Sequence, residues 1–470
     1  MEGSVVLDVG KTISKLTLWG GDGELLAREK RANARLQGPG YAALDVDGIQ
    51  SWLFATLAKF GRQANIRAII PVAHGASAAI VRNNELVLPP MDYESPIPAD
   101  ERRRYDAQRD RFSTTGSPAL PDGLNLGAQL HHLETIQPGS LDDAEILLWP
   151  QYWAWLLSGV AASEITSLGC HTDLWLPIEQ RPSDLADARC WGKKLPPLRR
   201  ASEALGPIRP AIATSTGLPT DAQVYCGLHD SNAALIAARG FSEIGDFEST
   251  VLSTGTWFVA MRTPAPGTQV DLETLPEGRD CLINIDALGR PVSSARFMGG
   301  RELETLTGID TRRIDITPDQ PTLVAALPTV ISSGTMVLPT FAPSVGPFPN
   351  AHGRWVEMPA DNAARRAAVS LYAAMVADVS LDLIGSCERI LIEGRFAEAE
   401  VFVRGIATLR PETTVYCANA HNDVSFGALR LLDPSLEPSS SLRLVKPLDA
   451  DLNSYRSEWR ELAEQVDVFA

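Results

Sequence analysis

Two copies of one local pattern, set about half a chain apart, constrain this protein more than any other feature. Val5-Val6-Leu7 reads as a buried strand that ends in the turn Asp8-Val9-Gly10-Lys11-Thr12. Ile13 to Trp19 resumes a strand, and Gly20-Gly21-Asp22-Gly23 supplies the next turn. The stretch Thr250 to Met261 repeats the pattern, with Ser253-Thr254-Gly255-Thr256 as its turn. A hairpin tip holding Gly, Lys and Thr gathers backbone N–H groups, an ammonium and a hydroxyl, which suit phosphate oxygens. An acidic residue two positions before the glycine, here Asp8, can hold Mg²⁺ through water. Either hairpin alone is an ordinary polar turn. The pair predicts a duplicated domain that clamps a nucleotide between its copies.

Between the hairpins lies Gly227-Leu228-His229-Asp230-Ser231-Asn232, after the short strand Gln223 to Cys226 and before an Ala-rich helix. A carboxylate at such a strand-to-helix turn is held rigidly and can accept a proton from a substrate hydroxyl. Asp230 alone reads equally as a helix cap. Its place just upstream of the second hairpin favours the general base.

The order Asp8-x-Gly10-x-Thr12, His74-Gly75, Gly227-x-His229-Asp230, Thr254-Gly255-Thr256 and a late Gly394 resembles the FGGY carbohydrate kinases over nearly the whole chain. Gly-x-His-Asp followed by a Thr-Gly-Thr-Trp run is most similar to the rhamnulokinase and fuculokinase branch, with Thr254 where that branch usually has Ser. The resemblance implies an α/β fold of two ribonuclease-H-like domains of the actin-like ATPase superfamily, with the active site in an interdomain cleft. It implies an N-terminal domain over 1–240 with the sugar site and first phosphate motif and a nucleotide-binding domain over 241–435; residues 436–470 read as a loosely packed C-terminal tail with one helix near Tyr455 to Gln465.

The activity implied is ATP- and Mg²⁺-dependent phosphorylation of a ketose of L-rhamnulose or L-fuculose type. Asp8 would position the metal. Gly10, Lys11, Thr12, Thr254, Gly255 and Thr256 would serve the phosphates, and Asp230 would act as base. His74, Tyr93, Glu94, Gln151 and His229 would line the sugar site. His74 reads equally as a core-edge histidine, and Lys11 as a phosphate contact or a solvent-facing side chain. The family's adenosine motif is a run of glycines followed by Ala, whereas this chain has Glu393-Gly394-Arg395-Phe396-Ala397. Gly394 would let the nucleotide approach the backbone, and Arg395 or Phe396 would stack on adenine. Asn422-Asp423 to Leu429 is similar to the family's closing Gly-Ala-Ala helix.

Other readings stay open. The substrate can equally be a pentulose, a tetrulose or a polyol, or the chain a nucleotide-dependent sugar sensor that turns over poorly. The intact Asp8 and Asp230 argue against the sensor. A chaperone- or actin-like ATPase is disfavoured by the sugar-kinase context of Asp230. The family's members range from monomers to tetramers, so a homodimer is among the assemblies the resemblance allows.

Composition narrows the classes further. A chain of 470 residues exceeds one ordinary core and calls for two domains. A net charge of −16 argues against a nucleic-acid partner. The most apolar stretch, Ile146 to Ala162, is interrupted by Pro150, Gln151 and Ser158 and predicts no membrane span. Six scattered cysteines without C-x-x-C spacing predict reduced thiols, no structural zinc and a cytoplasmic protein, consistent with no visible secretory signal. Periodicity predicts helices over 48–63, 364–383 and 398–410, a strand over 389–393, and further helical pieces over 183–191 and 196–206. The Arg102-Arg103-Arg104 run reads as a solvated helix face.

Overall fold

The computed structural model describes residues 1–418 and 424–468. It divides into two compact units. The first comprises Met1–Gly240, Ile283–Pro291 and Asp423–Glu437, and the second Phe241–Leu282, Val292–Asn422 and Pro438–Ala470. The crossing at Gly240 is therefore one of several, and each unit is assembled from separate stretches of chain.

In the first unit, β1 (Glu2–Val9), β2 (Ile13–Gly20) and β3 (Leu25–Ala32) form an antiparallel meander, with Val9 opposite Ser14. On its other side β1 runs parallel to β4 (Asn65–Ala73), which pairs in parallel with β5 (Gln223–Tyr225) and β6 (Leu228–His229). A central strand covered on both faces must be apolar throughout, which is why Val5-Val6-Leu7 lacks the usual alternation. Val5 and Leu7 face a core with Leu53, Leu57 and Phe60 of α1 (Val46–Gly61) and Trp153 of α2 (Trp149–Ser158). Val6 faces the opposite core with Ile70, Val72, Ala233 and Ala428. Asp45 caps α1 by accepting from the Gly48 N–H at 3.0 Å. The helix α3 (Asp230–Ala238) follows β6 directly.

The second unit repeats this order. β7 (Ser249–Thr254), β8 (Phe258–Thr263) and β9 (Pro291–Phe297) form the antiparallel part. After α4 (Gly299–Thr307) and the 22-residue α5 (Asn362–Leu383), β10 (Arg389–Gly394) adds to β7 in parallel. Then α6 (Glu400–Leu409) leads to β11 (Thr414–Ala418), parallel to β10. An antiparallel set of strands extended by parallel strands, present in both units, is the ribonuclease-H-like pattern.

Three expectations need correction. Pro196–Gly206 is not helical: Leu198–Arg199 is a short strand and Ala204–Pro207 pairs antiparallel with β5. Pro196 and Pro197 lack the N–H a helix would use, and the open edge of β5 captures the segment. The C-terminal tail is not loosely packed. Its helix α7 (Asn453–Val468) buries Trp459, whose indole N–H donates to Val337 O at 2.7 Å, while Tyr455 donates to Thr335 O at 2.8 Å. Arg456 and Arg460 both pair with Asp378, which is fully buried, so the tail supplies counter-charges the second unit needs. Finally, Phe396 is not available for stacking on adenine: it is buried, 5.1 Å from the Phe258 ring centroid, as part of the core. Asn422 and Asp423 lie outside the described residues.

Among the described residues no helix is long and apolar enough to cross a membrane. All six cysteines are free thiols.

Candidate active site

Strand register in the first unit assembles the site. Val9 pairs with Ala73 and Ala73 with His229, so the residues that follow each strand leave the sheet at one edge. That edge is the carboxyl end of parallel strands, where α/β sheets hold their ligands. It presents Asp8 at the last-but-one position of β1, Gly10 in the turn that follows, His74 after β4, and Asp230 after β6. The His74 N–H donates to Val9 O at 3.2 Å, and Asn33 Nδ2 donates to Gly10 O at 2.7 Å, which fixes the first turn. The Asp8 carboxylate lies 3.1 Å from Lys15 Nζ.

Asp230 is the first residue of α3. The cap position belongs to His229, which makes no side-chain capping bond. The Asp230 side chain keeps 29 % of its surface exposed, and His229 Nε2 lies 3.2 Å from its Oδ1. His229 Nδ1 faces Asn232 Nδ2 at 3.4 Å. With that amide donating to Nδ1, the ring proton sits on Nε2, toward Asp230. Burial pushes the His229 imidazole down to about 4, so it is neutral at neutral pH and orients the carboxylate without neutralising it. Burial also pushes Asp230 above the usual carboxylate range, with His74 and the Ser231 amide and hydroxyl acting in the opposite sense. A carboxylate raised in this way is a stronger base than an exposed one.

Behind this pair stands a buried polar chain. The His229 N–H donates to Thr166 Oγ1 at 3.0 Å, and Thr166 donates to Glu164 Oε2 at 2.6 Å. Glu164 is fully buried, and desolvation pushes it up to about 7, against the bonds from Thr166 and Ser167. A carboxyl whose folded value is raised above an ordinary 4.5 binds its proton more tightly in the folded state. Its contribution is complete at acid pH and is lost as pH rises from about 4.5 through 7. The expected result is a stability decline of up to about 3 kcal/mol across that window. Thermal unfolding from pH 5 to 8 should show this decline, and Glu164→Gln should flatten it.

The sequence-predicted sugar residues separate into two groups. His74 stands edge-on to Tyr93 at 5.3 Å and lies 6.3 Å from Trp149, and burial pushes its imidazole down. Lys11 neither faces solvent nor is free for phosphate. Its ammonium pairs with Asp92 at 3.1 Å and with Glu94, and lies 4.3 Å from the Tyr93 ring centroid. Gln151, expected to touch sugar, is fully buried, and its Nε2 donates to Cys226 O and Gly227 O at 3.2 Å. It braces the turn that carries His229 and Asp230. Thr166 belongs to a polar segment, Ser163 to Asp173, that the sequence offered as cleft lining, whereas Asp92, Lys15, Glu164 and Asn33 were not singled out by sequence. Asp92 alone carried a local signal, as part of the acidic-aromatic run Asp92-Tyr93-Glu94.

In the second unit the parallel register sets Thr254 beside Gly394. Gly394 has φ +90°, and a Cβ there would sit 2.2 Å from Thr254 O, so only glycine fits. The Thr254 hydroxyl donates to Glu393 O at 2.5 Å and accepts from the Phe396 N–H at 3.1 Å, which commits it to holding the turn. The Gly255 N–H closes the turn onto Trp257 O at 2.9 Å. Arg395 reaches across to Thr311 Oγ1 at 3.2 Å and Thr256 Oγ1 at 3.5 Å, and pairs with Glu304 at 3.5 Å. A Cβ on Gly300 would lie 1.9 Å from Gly255 O, so the first turn of α4 abuts the same hairpin tip.

The model of the carbohydrate kinase FGGY C-terminal domain matches residues 246–439. No curated protein matches the sequence. The crystal structure of a carbohydrate kinase from Novosphingobium aromaticivorans is 54% identical, with a TM-score of 0.94 over 98% of each chain. Xylulose kinase from Rhodospirillum rubrum, 16% identical over 99% of each chain with a TM-score of 0.80, shares the fold. So does Plasmodium falciparum glycerol kinase with ADP, 13% identical over 99% of this chain and 98% of that one, with a TM-score of 0.78. Taken with the repeated ribonuclease-H-like units, the identity across nearly the full length shows that this chain belongs to the FGGY family of carbohydrate kinases.

Proposed function

We propose that the chain transfers the γ-phosphoryl group of ATP to a hydroxyl of a ketose of L-rhamnulose or L-fuculose type, with Asp230 as general base. The observation that carries this reading is the register of β1, β4 and β6, which brings Asp8, His74 and Asp230 to one sheet edge. Asp230 takes the proton of the attacking hydroxyl, held in place by the neutral His229 imidazole. His74, Tyr93 and the Lys11–Asp92–Glu94 cluster offer an aromatic face beside directional polar groups, which a polyol needs.

The residues present fit a metal–nucleotide complex. The turns at Gly10 and Gly255 are glycine-built, and Gly394 ends the strand paired with Thr254 beside the second turn. Among the described residues no group of three or more His, Cys, Asp or Glu forms a metal site. Asp8 would serve as an outer partner of a Mg²⁺ ion carried by the nucleotide. Such an ion would neutralise charge on the β- and γ-phosphates. Gly10, Thr12, Gly255, Thr256 and Arg395 would orient those phosphates, while Thr254 holds the second turn in shape.

A pentulose or polyol is the second reading, since solved structures of this fold include proteins named xylulose kinase and glycerol kinase. An ADP-release assay with Mg·ATP separates them, using L-rhamnulose, L-fuculose, L- and D-ribulose, L- and D-xylulose, erythrulose, glycerol and erythritol. Turnover is expected on a 6-deoxy-ketohexose; selective turnover on a pentulose or polyol reassigns the substrate, and none on any sugar refutes the reading. Lys11→Met should raise the KM for sugar roughly 5- to 10-fold with kcat nearly unchanged, because it removes binding shared by ground and transition states.

A further inference from the structure

The other flank of the catalytic helix lines a second cavity. A groove of 860 Å³ runs between α3, the segment Leu198–Glu203, the hairpin tip at Ile285–Arg290 and the stretch around Arg430, all within the first unit. This volume lies within the range of small-molecule sites.

Its charge is unlike that of the protein as a whole. Five arginines line it, Arg199, Arg200, Arg239, Arg290 and Arg430, against two carboxylates. Both carboxylates are already engaged: Glu203 pairs with Arg199 at 2.8 Å and Asp286 with Arg290 at 2.6 Å. With Arg199 and Arg290 holding those carboxylates, Arg200 and Arg430 are the guanidinium groups placed to meet a ligand, on a chain whose net charge is −16. Arg430 is held there at a cost. Its Nε is buried with no hydrogen-bond partner among the described residues, and desolvation lowers its affinity for the proton, with Asp433 and Glu437 acting in the opposite sense. On the inner wall Asn232 is almost fully buried, and its Oδ1 also lacks a partner among the described residues. Besides Gln180 and Ser202 the remaining wall is apolar, with Leu235 and Ile236 on α3 and Leu288 at the rim, 78 % exposed.

Guanidinium groups opposite an apolar wall fit a ligand with a dianionic head and a flat or apolar body. We propose that this groove binds a small organic phosphate. Its position gives occupancy a route to the reaction centre. Asn232, Leu235, Ile236 and Arg239 belong to α3 or its cap, and Asn232 also holds the His229 imidazole that faces Asp230. The site is separate from the phosphate turns of the proposed kinase reaction and does not depend on that reading.

Calorimetric titration of the full chain with phenyl phosphate, in saturating Mg·ADP to fill the nucleotide site, tests this. One site per chain is expected, with inorganic phosphate at least 10-fold weaker for want of the apolar body. Arg200→Glu and Leu288→Asp, both at exposed positions, should each weaken phenyl phosphate at least 10-fold, and Asp230→Asn should leave it unchanged. Absence of saturable binding, or affinity unaltered in both groove variants, overturns the proposal.

Discussion

Asp230→Asn should reduce kcat by about 10²- to 10⁴-fold, the usual worth of a positioned general base. The carboxamide matches the carboxylate in shape and can still be held by His229 and Ser231, so folding and nucleotide affinity should be nearly unchanged. What it lacks is a lone pair basic enough to take the hydroxyl proton. The wild-type pH profile should carry the same signature. The base works only when deprotonated, so activity should fall on the acid side, through a midpoint above the ordinary carboxylate range because burial raises Asp230. Steady-state kinetics on the sugar identified by the panel measure both. A variant that keeps more than a tenth of wild-type kcat would remove Asp230 from the chemistry.

Gly227→Ala is expected to be nearly as damaging, through position rather than chemistry. Gly227 has φ +74°, and a Cβ there would lie 1.9 Å from Pro71 O on β4. Backbone cannot yield as a side-chain tip can, so β6 would have to part from β4. Left-handed strain and overpacking together should cost about 3–5 kcal/mol. For a unit of this size that is roughly 10 °C in Tm. The same displacement would move His229 and Asp230 off the common edge, so kcat should fall even in the fraction that remains folded. Calorimetry and activity at a temperature well below the transition separate the two effects. An unchanged Tm would show that the contact relaxes without moving the strand.

Much of this was legible in residue order. The repeated strand–turn–strand pattern predicts duplication because each copy is local. An apolar run, a glycine turn and a second run are written within a dozen residues, and short-range sterics suffice to form them. The positions of Asp8, His74 and Asp230 at strand ends were legible for the same reason, since each lies at or just after the end of a strand whose apolar character is plain. The long helix α5 was readable because 22 residues of period 3.6 leave little ambiguity.

Roles that depend on partners far along the chain were not legible. Lys11 meets Asp92 and Glu94 some eighty residues later, and only strand packing decides that its charge is used there rather than on phosphate. Gln151 looks like any polar residue near a sugar site, yet it lies behind the Gly227 turn and serves as a brace. Phe396 has the composition of a stacking residue, but β8 places Phe258 against it and the core claims it. The packing of the C-terminal helix was not legible because its tie to the second unit, Arg456 and Arg460 on Asp378, spans about eighty positions. By itself, then, the sequence determined the two units, the turn chemistry and the carboxylate at the head of α3, all of which follow from local sterics and periodicity. The tertiary structure alone decided which polar groups face the site, which hold it up from behind, and which arginines gather in the groove. Those outcomes depend on which distant surfaces are buried together, and burial is a property of the whole fold.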